Sequence, residues 1–370
     1  MVMVSSSSVD CGIVNPGVCD FCEFAKGGSQ VVQGRYSRQM LFRPMGQEGQ
    51  QRLRQSRIAI VGMGALGTVL STQLVRAGVG FVRIIDRDVI ESSNLQRQSL
   101  FDERDALQGR PKAEAAVEKL RLANSDVEID MKIEDVTPTN AESLLADVEV
   151  IVDGTDNFRV RYLINDVSVK HAIAWSYGGA VSSYGTTAFI RPGRTPCLVC
   201  LFGPNPGDGG HDTCDTVGVI APVVSIVASL QVAEILKYLT GNVGALSDSL
   251  VHVDVWNNEF RMIHLGLPKT DCECCHRHHF TSLESQKDGL TVSFCGRQTI
   301  QIQPPRGLSR TLPELANRLS QVGSVRHNVN LLRLDLGDIQ VSLFANGRAL
   351  IHGVDDEVEA KNIYSRYIGW

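Results

Sequence analysis

Four cysteines stand in two pairs with the spacing Cys-x-x-Cys, which is typical of metal-binding turns. The pairs are Cys197 with Cys200 and Cys272 with Cys275. Four thiolates without an open coordination position suit Zn²⁺ in a closed tetrahedral site, which stabilises a fold and takes no part in catalysis. An iron–sulfur cluster also accepts four thiolates, but separated Cys-x-x-Cys pairs are less usual for one. The sequence therefore predicts a structural zinc site.

Cys274 adds a third cysteine to the second pair, in the order Cys272-Glu-Cys274-Cys275. The Cys-x-x-Cys turn favours Cys272 with Cys275 as ligands and leaves Cys274 spare, although Cys274 could replace one of them. Three histidines follow closely. Since four cysteines already complete a tetrahedral site, we interpret these histidines as surface residues.

A glycine-rich loop lies upstream of the cysteines, with glycines at Gly62, Gly64 and Gly67. Glycine at these positions permits a tight turn and a close approach of backbone N–H groups to a phosphate, and the following helix N-terminus adds a favourable dipole. Asp86 ends the next predicted strand, where a carboxylate can accept hydrogen bonds from ribose hydroxyls. To this point an NAD-dependent oxidoreductase fits as well as an ATP-using enzyme.

Two cations after Asp86 favour ATP chemistry over nicotinamide chemistry. Arg97 and Lys112 follow within one short stretch. Cleavage of ATP must neutralise a triphosphate and its leaving pyrophosphate, whereas a nicotinamide site needs little charge beyond its pyrophosphate cradle. Lys112 starts a predicted helix, where the dipole disfavours a cation, and this favours a functional role for it.

Two aspartates, Asp153 and Asp156, follow another buried apolar run. Mg²⁺ usually takes one or two carboxylates and keeps waters and phosphate oxygens as its other ligands. The pair therefore suits a magnesium site, although Asp153 equally suits the cap of the next helix.

Strands and helices alternate from residue 57 onward, which is typical of parallel β-α-β architecture. In open α/β sheets, ligands bind beyond the carboxyl ends of the strands. The sequence therefore predicts an α/β, Rossmann-like, doubly wound sheet with a nucleotide site and a zinc knuckle. Periodicity predicts helices over 66–77, 111–123 and 217–239, and strands over 58–61, 81–85, 127–133, 148–152 and 250–256.

The 370 residues exceed what one hydrophobic core usually serves, and we expect three parts. Residues 1–34 lack periodicity and are expected to be a disordered tail, in which Cys19 and Cys22 form a further Cys-x-x-Cys. Residues 35–284 are expected to carry the nucleotide and zinc sites. Residues 285–370 are expected to form a small α+β domain, with a helix over 312–319 and strands over 330–336, 340–344 and 348–351.

Composition limits the partners that we expect. The net charge of -5 gives no electrostatic footprint for nucleic acid or an anionic membrane. No uninterrupted apolar run reaches the roughly 18 residues of a membrane span, and the N-terminus lacks the pattern of a secretory signal. Clustered cysteines favour metal or thiol chemistry in a reducing compartment over disulfides. We therefore expect a cytoplasmic protein with neither a nucleic-acid nor a membrane partner.

Taken in order, these motifs resemble the ThiF/MoeB family, relatives of the ubiquitin-activating enzymes, over residues 36–275. The resemblance implies ATP-dependent adenylation of the C-terminal Gly-Gly carboxylate of a small ubiquitin-like sulfur carrier protein. It also implies that the protein is a homodimer, in which Arg38 of one subunit acts at the active site of the other. The residues that it implies as ATP ligands are Gly62, Gly64, Gly67, Asp86, Asp88, Asn94, Arg97, Gln98, Lys112 and Asn157, with Asp156 as the Mg²⁺ ligand.

Cys214 stands alone between the two cysteine pairs, in a Gly/Pro/Asp-rich stretch before the long apolar helix. A helix N-terminus lowers a thiol pKa, whereas the flanking Asp212 and Asp215 raise it. Relatives carry a cysteine here that in some members links to the carrier, so we expect a role in sulfur transfer. The C-terminal region shows no rhodanese-like cysteine loop, and we expect a separate sulfur donor.

The prediction from sequence is a ThiF-type adenylyltransferase of thiamin thiazole biosynthesis that uses ATP, Mg²⁺ and Zn²⁺. A MoeB-type enzyme, which adenylates the small subunit of molybdopterin synthase, is the nearest alternative because the same residues serve both. An NAD-dependent oxidoreductase and a catalytically silent binding module of this fold are the alternatives from other classes.

Overall fold

The computed structural model describes residues 34–205, 217–285, 291–294, 299–302, 304 and 307–369. Its helices are α1 (Ser37–Met40), α2 (Gly46–Gln55), α3 (Ala65–Ala77), α4 (Glu103–Gln108), α5 (Lys112–Ala123), α6 (Ala141–Leu145), α7 (Phe158–His171), α8 (Leu198–Phe202), α9 (Ala221–Leu239), α10 (Thr281–Glu284), α11 (Leu312–Leu319) and α12 (Glu357–Tyr367). Its strands are β1 (Arg57–Val61), β2 (Phe81–Ile85), β3 (Glu128–Lys132), β4 (Val150–Asp153), β5 (Ala174–Val181), β6 (Tyr184–Ile190), β7 (Ser249–Asp254), β8 (Glu259–His264), β9 (Thr291–Phe294), β10 (Thr299–Ile302), β11 (Ser324–His327), β12 (Leu331–Asp335), β13 (Gln340–Phe344) and β14 (Ala349–His352).

The larger sheet has eight strands in the order β3-β2-β1-β4-β5-β6-β7-β8. The strands from β3 to β5 are parallel, and β6, β7 and β8 continue the sheet antiparallel. At its centre Val61 pairs with Ile85 on one side and with Asp153 on the other. The carboxyl ends of β1, β2 and β4 therefore open at one edge, where the predicted nucleotide residues follow.

Helices cover both faces of the parallel part, and alternate residues of β1 enter two different cores. Ile58 and Ile60 belong to a cluster that includes α3, α5 and α9, whereas Ala59 and Val61 belong to one that includes α6 and α7. A strand that is buried on both faces is a continuous apolar run. The predicted Rossmann-like α/β class is thus confirmed.

The long helix α9 begins at Ala221, four residues later than the sequence predicts. Among the described residues it is the one helix that is long and apolar enough to cross a membrane. It nevertheless packs along α3 and against β5 and β6, and its Gln231 is buried. We therefore describe α9 as a core helix of the larger sheet.

The hairpin of β5 and β6 was not predicted from the sequence, nor were strands β8, β9, β10 and β11. The segment from Gly178 to Ser183, at the end of β5 and in the turn to β6, has Val181 as its one larger apolar residue and interrupts the apolar pattern. In the structure Gly178 and Gly185 accommodate close neighbours, because a Cβ on either would overlap Gln231 or Val227 of α9. Tertiary packing therefore forms this hairpin where local periodicity is weak.

The second sheet is antiparallel, in the order β11-β12-β13-β14-β10-β9, and α11 and α12 cover it. The helix predicted over 312–319 and the strand over 340–344 have the observed bounds. The domain boundary between residues 284 and 285 stays a prediction. Nearly all of the predicted tail, including Cys19 and Cys22, lies outside the described residues.

Candidate active site

The glycine loop joins β1 to α3 and is tightly packed against the loop that follows β4. Gly62 has a φ of 90°, and a Cβ there would lie 2.8 Å from the carbonyl oxygen of Gly154. A Cβ on Gly67 would overlap the carbonyl of Gly62. Around Gly64, by contrast, a Cβ would meet only the Gln98 amide at 3.9 Å. Two glycines thus permit the tight turn, and the third leaves space above the helix N-terminus, as a phosphate cradle requires.

Asp86 connects the glycine loop to the end of β2. Its Oδ2 accepts a hydrogen bond from Met63 N at 2.5 Å, and its Oδ1 accepts one from Asp88 N at 2.6 Å. The carboxylate is buried, and burial raises its pKa, while the charge of Lys112 lowers it. Asp86 therefore holds the two loops between which a nucleotide would lie; its contact with a ribose stays a prediction.

Lys112 lies among carboxylates at the start of α5. Its side chain is buried, with Nζ 3.2 Å from Asp88 Oδ2, and its backbone N–H donates to Asp88 O at 2.9 Å. Burial alone would lower the pKa of the ammonium group, but the charges of Asp88, Asp86 and Asp156 raise it above its ordinary value. Lys112 is therefore a buried, fully charged cation on the side where the glycine loop ends.

Asn94 and Gln98 offer polar atoms without partners. Both residues are buried, Asn94 at the end of a short 3-10 helix (Ser92–Asn94) and Gln98 four residues later, and Asn94 Nδ2 and Gln98 Oε1 have no hydrogen-bond partner in the described part of the chain. An unpaired buried polar atom costs about 1–3 kcal/mol, and such atoms often mark ligand sites. Arg97, between them, is half-exposed and donates to Ser93 O at 3.0 Å.

Asp153 forms an ion pair that the sequence does not predict. It is fully buried, with Oδ2 3.0 Å from Arg161 Nε, and its Oδ1 accepts bonds from the backbone and hydroxyl of Thr155. The cap of α7 is Asn157, whose Oδ1 accepts from Arg159 N at 2.9 Å. Of the two roles that we left open for Asp153, the helix cap is wrong.

Asp156 and Asn157 are the other predicted ligands on this loop. Asp156 is exposed, so its oxygens can reach a metal bound at the edge of the sheet. Asn157 already uses its side-chain oxygen as the cap, which leaves its Nδ2 for a ligand. The magnesium role of Asp156 and the ATP contact of Asn157 both stay predictions.

Arg38 lies on α1 and is exposed. It precedes every other predicted ligand in the sequence, of which Gly62 is the first. Its neighbour Tyr36 is buried, and the Tyr36 hydroxyl accepts a hydrogen bond from Asn124 Nδ2 at 2.7 Å. The start of α1 is thus fixed to the end of α5, while Arg38 is exposed on α1. Cys214 lies outside the described residues.

The four predicted zinc ligands converge. The Sγ atoms of Cys197, Cys200, Cys272 and Cys275 all lie within 4.8 Å of one another. Three pairs are 3.8 Å (Cys197 and Cys200), 3.7 Å (Cys197 and Cys272) and 3.4 Å (Cys200 and Cys275) apart. Zn–S bonds of about 2.3 Å in a tetrahedron place sulfurs about 3.8 Å apart. The cluster therefore fits Zn²⁺.

Cys274 is not one of the four converging sulfurs, although its thiol interacts with Cys197 at the edge of the cluster. Its Sγ accepts from Asn165 Nδ2 at 3.2 Å and donates to Asp166 Oδ1 at 3.5 Å. Asn165 also accepts from Leu198 N at 2.7 Å, at the start of α8, which carries Cys200. The third cysteine thus fixes the two cysteine turns to α7 and leaves the four-sulfur set complete.

These features define a Rossmann-like fold with a candidate nucleotide site and a separate thiolate site. The chain belongs to the ThiF family, whose model matches residues 36–274. It is 44% identical over 340 residues to the sulfur carrier protein ThiS adenylyltransferase of Bacillus subtilis, covering 91% of this chain and all of that protein. A match of this coverage extends into the second sheet.

Two further comparisons cover less of the chain. The adenylyltransferase and sulfurtransferase MOCS3 of Bos taurus is 35% identical over 263 residues, which is 71% of this chain and 56% of that protein. Escherichia coli MccB, in a crystal structure with AMPCPP and the peptide MccA, has a TM-score of 0.59 and 22% identity, covering 67% of this chain and 76% of that one. This last likeness shows the fold alone.

Proposed function

We propose that this protein is an adenylyltransferase that uses ATP to activate the C-terminal Gly-Gly carboxylate of a ThiS-like sulfur carrier protein. The observation that carries the proposal is the convergence of the glycine loop, Asp86 and Lys112 at adjoining strand ends. The full-length likeness to a ThiS adenylyltransferase favours this carrier over that of a MoeB-type enzyme.

The chemistry needs cations and donors more than it needs a base. A carrier carboxylate oxygen attacks the α-phosphorus of ATP, and the bond from that phosphorus to the leaving pyrophosphate breaks, which gives an acyl adenylate and pyrophosphate. The nucleophile is already ionised, so the barrier lies in bringing two anions together. Lys112 and Arg97 would neutralise the phosphates, and backbone N–H groups at Gly64 would bind them. Mg²⁺, held by Asp156, would supply further charge neutralisation when bound.

The decisive experiment is ATP–pyrophosphate exchange that depends on a carrier ending in Gly-Gly. We expect exchange with the ThiS-like carrier and none when its terminal glycine is deleted. NAD binding without exchange would support the oxidoreductase alternative, and neither activity would support a silent binding module. Exchange that prefers a molybdopterin-synthase carrier would support a MoeB-type enzyme instead of thiamin thiazole biosynthesis.

Arg38 is proposed to act across a homodimer, and mixed dimers test this. We expect Arg38→Ala and Lys112→Ala each to be inactive. After mixing, one site in each heterodimer would combine an intact Lys112 with the partner's intact Arg38, which restores up to about a quarter of the wild-type rate. If Arg38 acts within its own subunit, every site in the mixture stays defective and no activity returns.

Cys214 is proposed to act after adenylation. The acyl adenylate is a strong acylating agent that a thiol or a persulfide can capture, and the sulfur would come from a separate persulfide donor protein. We expect Cys214→Ala to leave exchange unchanged and to reduce formation of the carrier thiocarboxylate. A loss of exchange in this variant would contradict the division of roles. We place these reactions in the cytoplasm, where free thiols persist.

A further inference from the structure

A buried arginine of the second sheet reaches the loop that carries Asp86 and Asp88. Arg348 stands directly before β14 and is completely buried. Its Nη2 donates to the backbone carbonyl of Arg87, the residue between the two aspartates. Its Nη1 donates to Gln301 Oε1 of β10 at 3.3 Å. One guanidinium group therefore joins the second sheet to the candidate ATP site.

The hairpin between β13 and β14 fixes this guanidinium group in place. Phe344 N donates to Arg348 O at 2.8 Å, and Gly347, with a φ of 92°, donates to Phe344 O at 2.9 Å. Tyr364 of α12 donates its hydroxyl to Gly347 O at 2.7 Å. The guanidinium carbon lies 3.6 Å from the centre of the Phe344 ring. The sheet thus holds the arginine rigidly against Arg87.

Arg348 is an expensive group to bury for packing alone. Burial and the charge of Arg87 lower its pKa to about 10, which still leaves it charged at neutral pH. Its Nε has no hydrogen-bond partner in the described part of the chain. An apolar side chain at such a position often gives equal or greater stability. The charges of Asp88, Asp135 and Asp86 act in the opposite direction and raise the pKa of Arg348.

The same sheet also contacts the segment that presents Lys112. Asn330 Nδ2 donates to Glu114 Oε2 at 2.7 Å, two residues beyond Lys112 on α5. Val89, directly after Asp88, packs in a cluster whose other members are Ile133, Leu331, Phe344 and Leu350. The second sheet therefore supports both chain segments whose side chains meet at the Lys112–Asp88 pair.

We propose that Arg348 is a positioning residue for ATP, which holds the loop of residues 86–88 so that Asp86 and Lys112 face the nucleotide. This proposal rests on the proposed function, because it takes ATP as the ligand of that loop. The second sheet is then a structural part of the nucleotide site and not an independent appendage. Arg348 itself touches no substrate.

The test compares Arg348→Met and Arg348→Lys with Arg326→Met, which removes an exposed arginine from the same sheet. We expect Arg348→Met to weaken ATP binding in calorimetry about tenfold and to raise KM for ATP, since displaced binding groups lose affinity and rate. KM for the carrier should stay unchanged. Arg348→Lys should recover part of the affinity, because an ammonium group can still donate to Arg87 O. Equal ATP affinities in wild type and Arg348→Met, or an equal loss in Arg326→Met, would overturn the proposal.

Hydrogen exchange of the wild-type protein gives a second test that does not depend on a variant folding. We expect ATP to slow amide exchange at residues 86–89 and also at the hairpin 344–349, and to leave β11 unchanged. Protection at 86–89 without protection at the hairpin would contradict the role of Arg348. A third outcome separates the two proposals. If ATP protects both segments but the enzyme shows no carrier-dependent ATP–pyrophosphate exchange, the adenylation proposal is contradicted and the positioning role of Arg348 stands.

Discussion

The nucleotide edge and the cysteine cluster differ in how their charged or ionisable side chains are compensated. At the nucleotide edge, formed by the loops after β1, β2 and β4 and the start of α5, charged side chains pair with one another: Lys112 of α5 with Asp88 of the loop after β2, and Arg161 of α7 with Asp153 of β4. The cysteine cluster gathers four sulfurs that lie within 4.8 Å of one another. Charges must be matched by other charges, whereas thiolates are matched by a metal. The first region thus keeps opposite charges together beside the glycine loop, whereas the second brings together four potential metal ligands from two turns that are distant in sequence.

Removing a zinc ligand is expected to have the largest effect. We expect Cys272→Ser to lose the metal and to lower the free energy of unfolding by at least about 5 kcal/mol, since zinc contributes about 10–16 kcal/mol in zinc-finger peptides. Metal analysis and denaturant unfolding measure this. Cys274→Ala is the matched control and should retain one zinc per chain. Zinc loss in the control and not in Cys272→Ser would exchange the roles of the two cysteines.

Breaking the buried pair at the end of β4 is expected to come next. Arg161→Met leaves Asp153 buried and uncompensated, so we expect a loss of about 3–5 kcal/mol in the free energy of unfolding. Arg261→Met removes an exposed arginine whose pair with Glu259 should contribute only about 0–1 kcal/mol. Denaturant midpoints of the two variants decide the matter, and similar values would show that the Asp153 pair is not the element that stabilises this edge.

Lys112→Ala tests the nucleotide edge by activity. We expect the exchange rate to fall at least about 100-fold, which is the usual effect of removing a group that stabilises charge in the transition state. Lys119→Ala removes another lysine of α5 that pairs with Asp102 and Asp105 away from the loop, and it should keep the wild-type rate. A similar rate loss in both variants would point to damage to α5 as a whole.

Asn157→Ala is expected to have the smallest effect. Loss of the cap should cost about 1 kcal/mol of stability. Asp356→Ala removes the corresponding cap of α12, where Asp356 accepts from Glu359 N at 2.8 Å, and should cost a similar amount. If Asn157 also contacts ATP, KM for ATP rises in Asn157→Ala and not in Asp356→Ala. An unchanged KM would leave Asn157 with the cap alone.

Part of the fold follows from local pattern, and several of the misses share one cause. Apolar periodicity predicts β1, α3, β2 and, in the second sheet, α11, β12, β13 and β14 within about two residues, because these short stretches carry a clear pattern of buried residues. It does not predict β9, β10, β11 or α12. The hairpin of β5 and β6 was not predicted because two of its residues must be glycine to accommodate α9, which packs directly on them. Arg161 and Arg348 escape for the same reason, since their partners are set by chain topology.

The sequence by itself determined the types of chemistry available: a phosphate-binding turn, a strand-end carboxylate, two cations and four paired thiols, each defined by residue type and short spacing. Only the tertiary structure decided how they are combined. It paired Asp153 with Arg161, gave Cys274 hydrogen bonds to Asn165 and Asp166 of α7, and brought Arg348 to Arg87 across 261 residues of chain. Motifs of short spacing can be recognised in the sequence because a single turn or helix sets the positions of their residues. Contacts between residues distant in sequence depend instead on which strand ends and hairpins the folded sheets bring together.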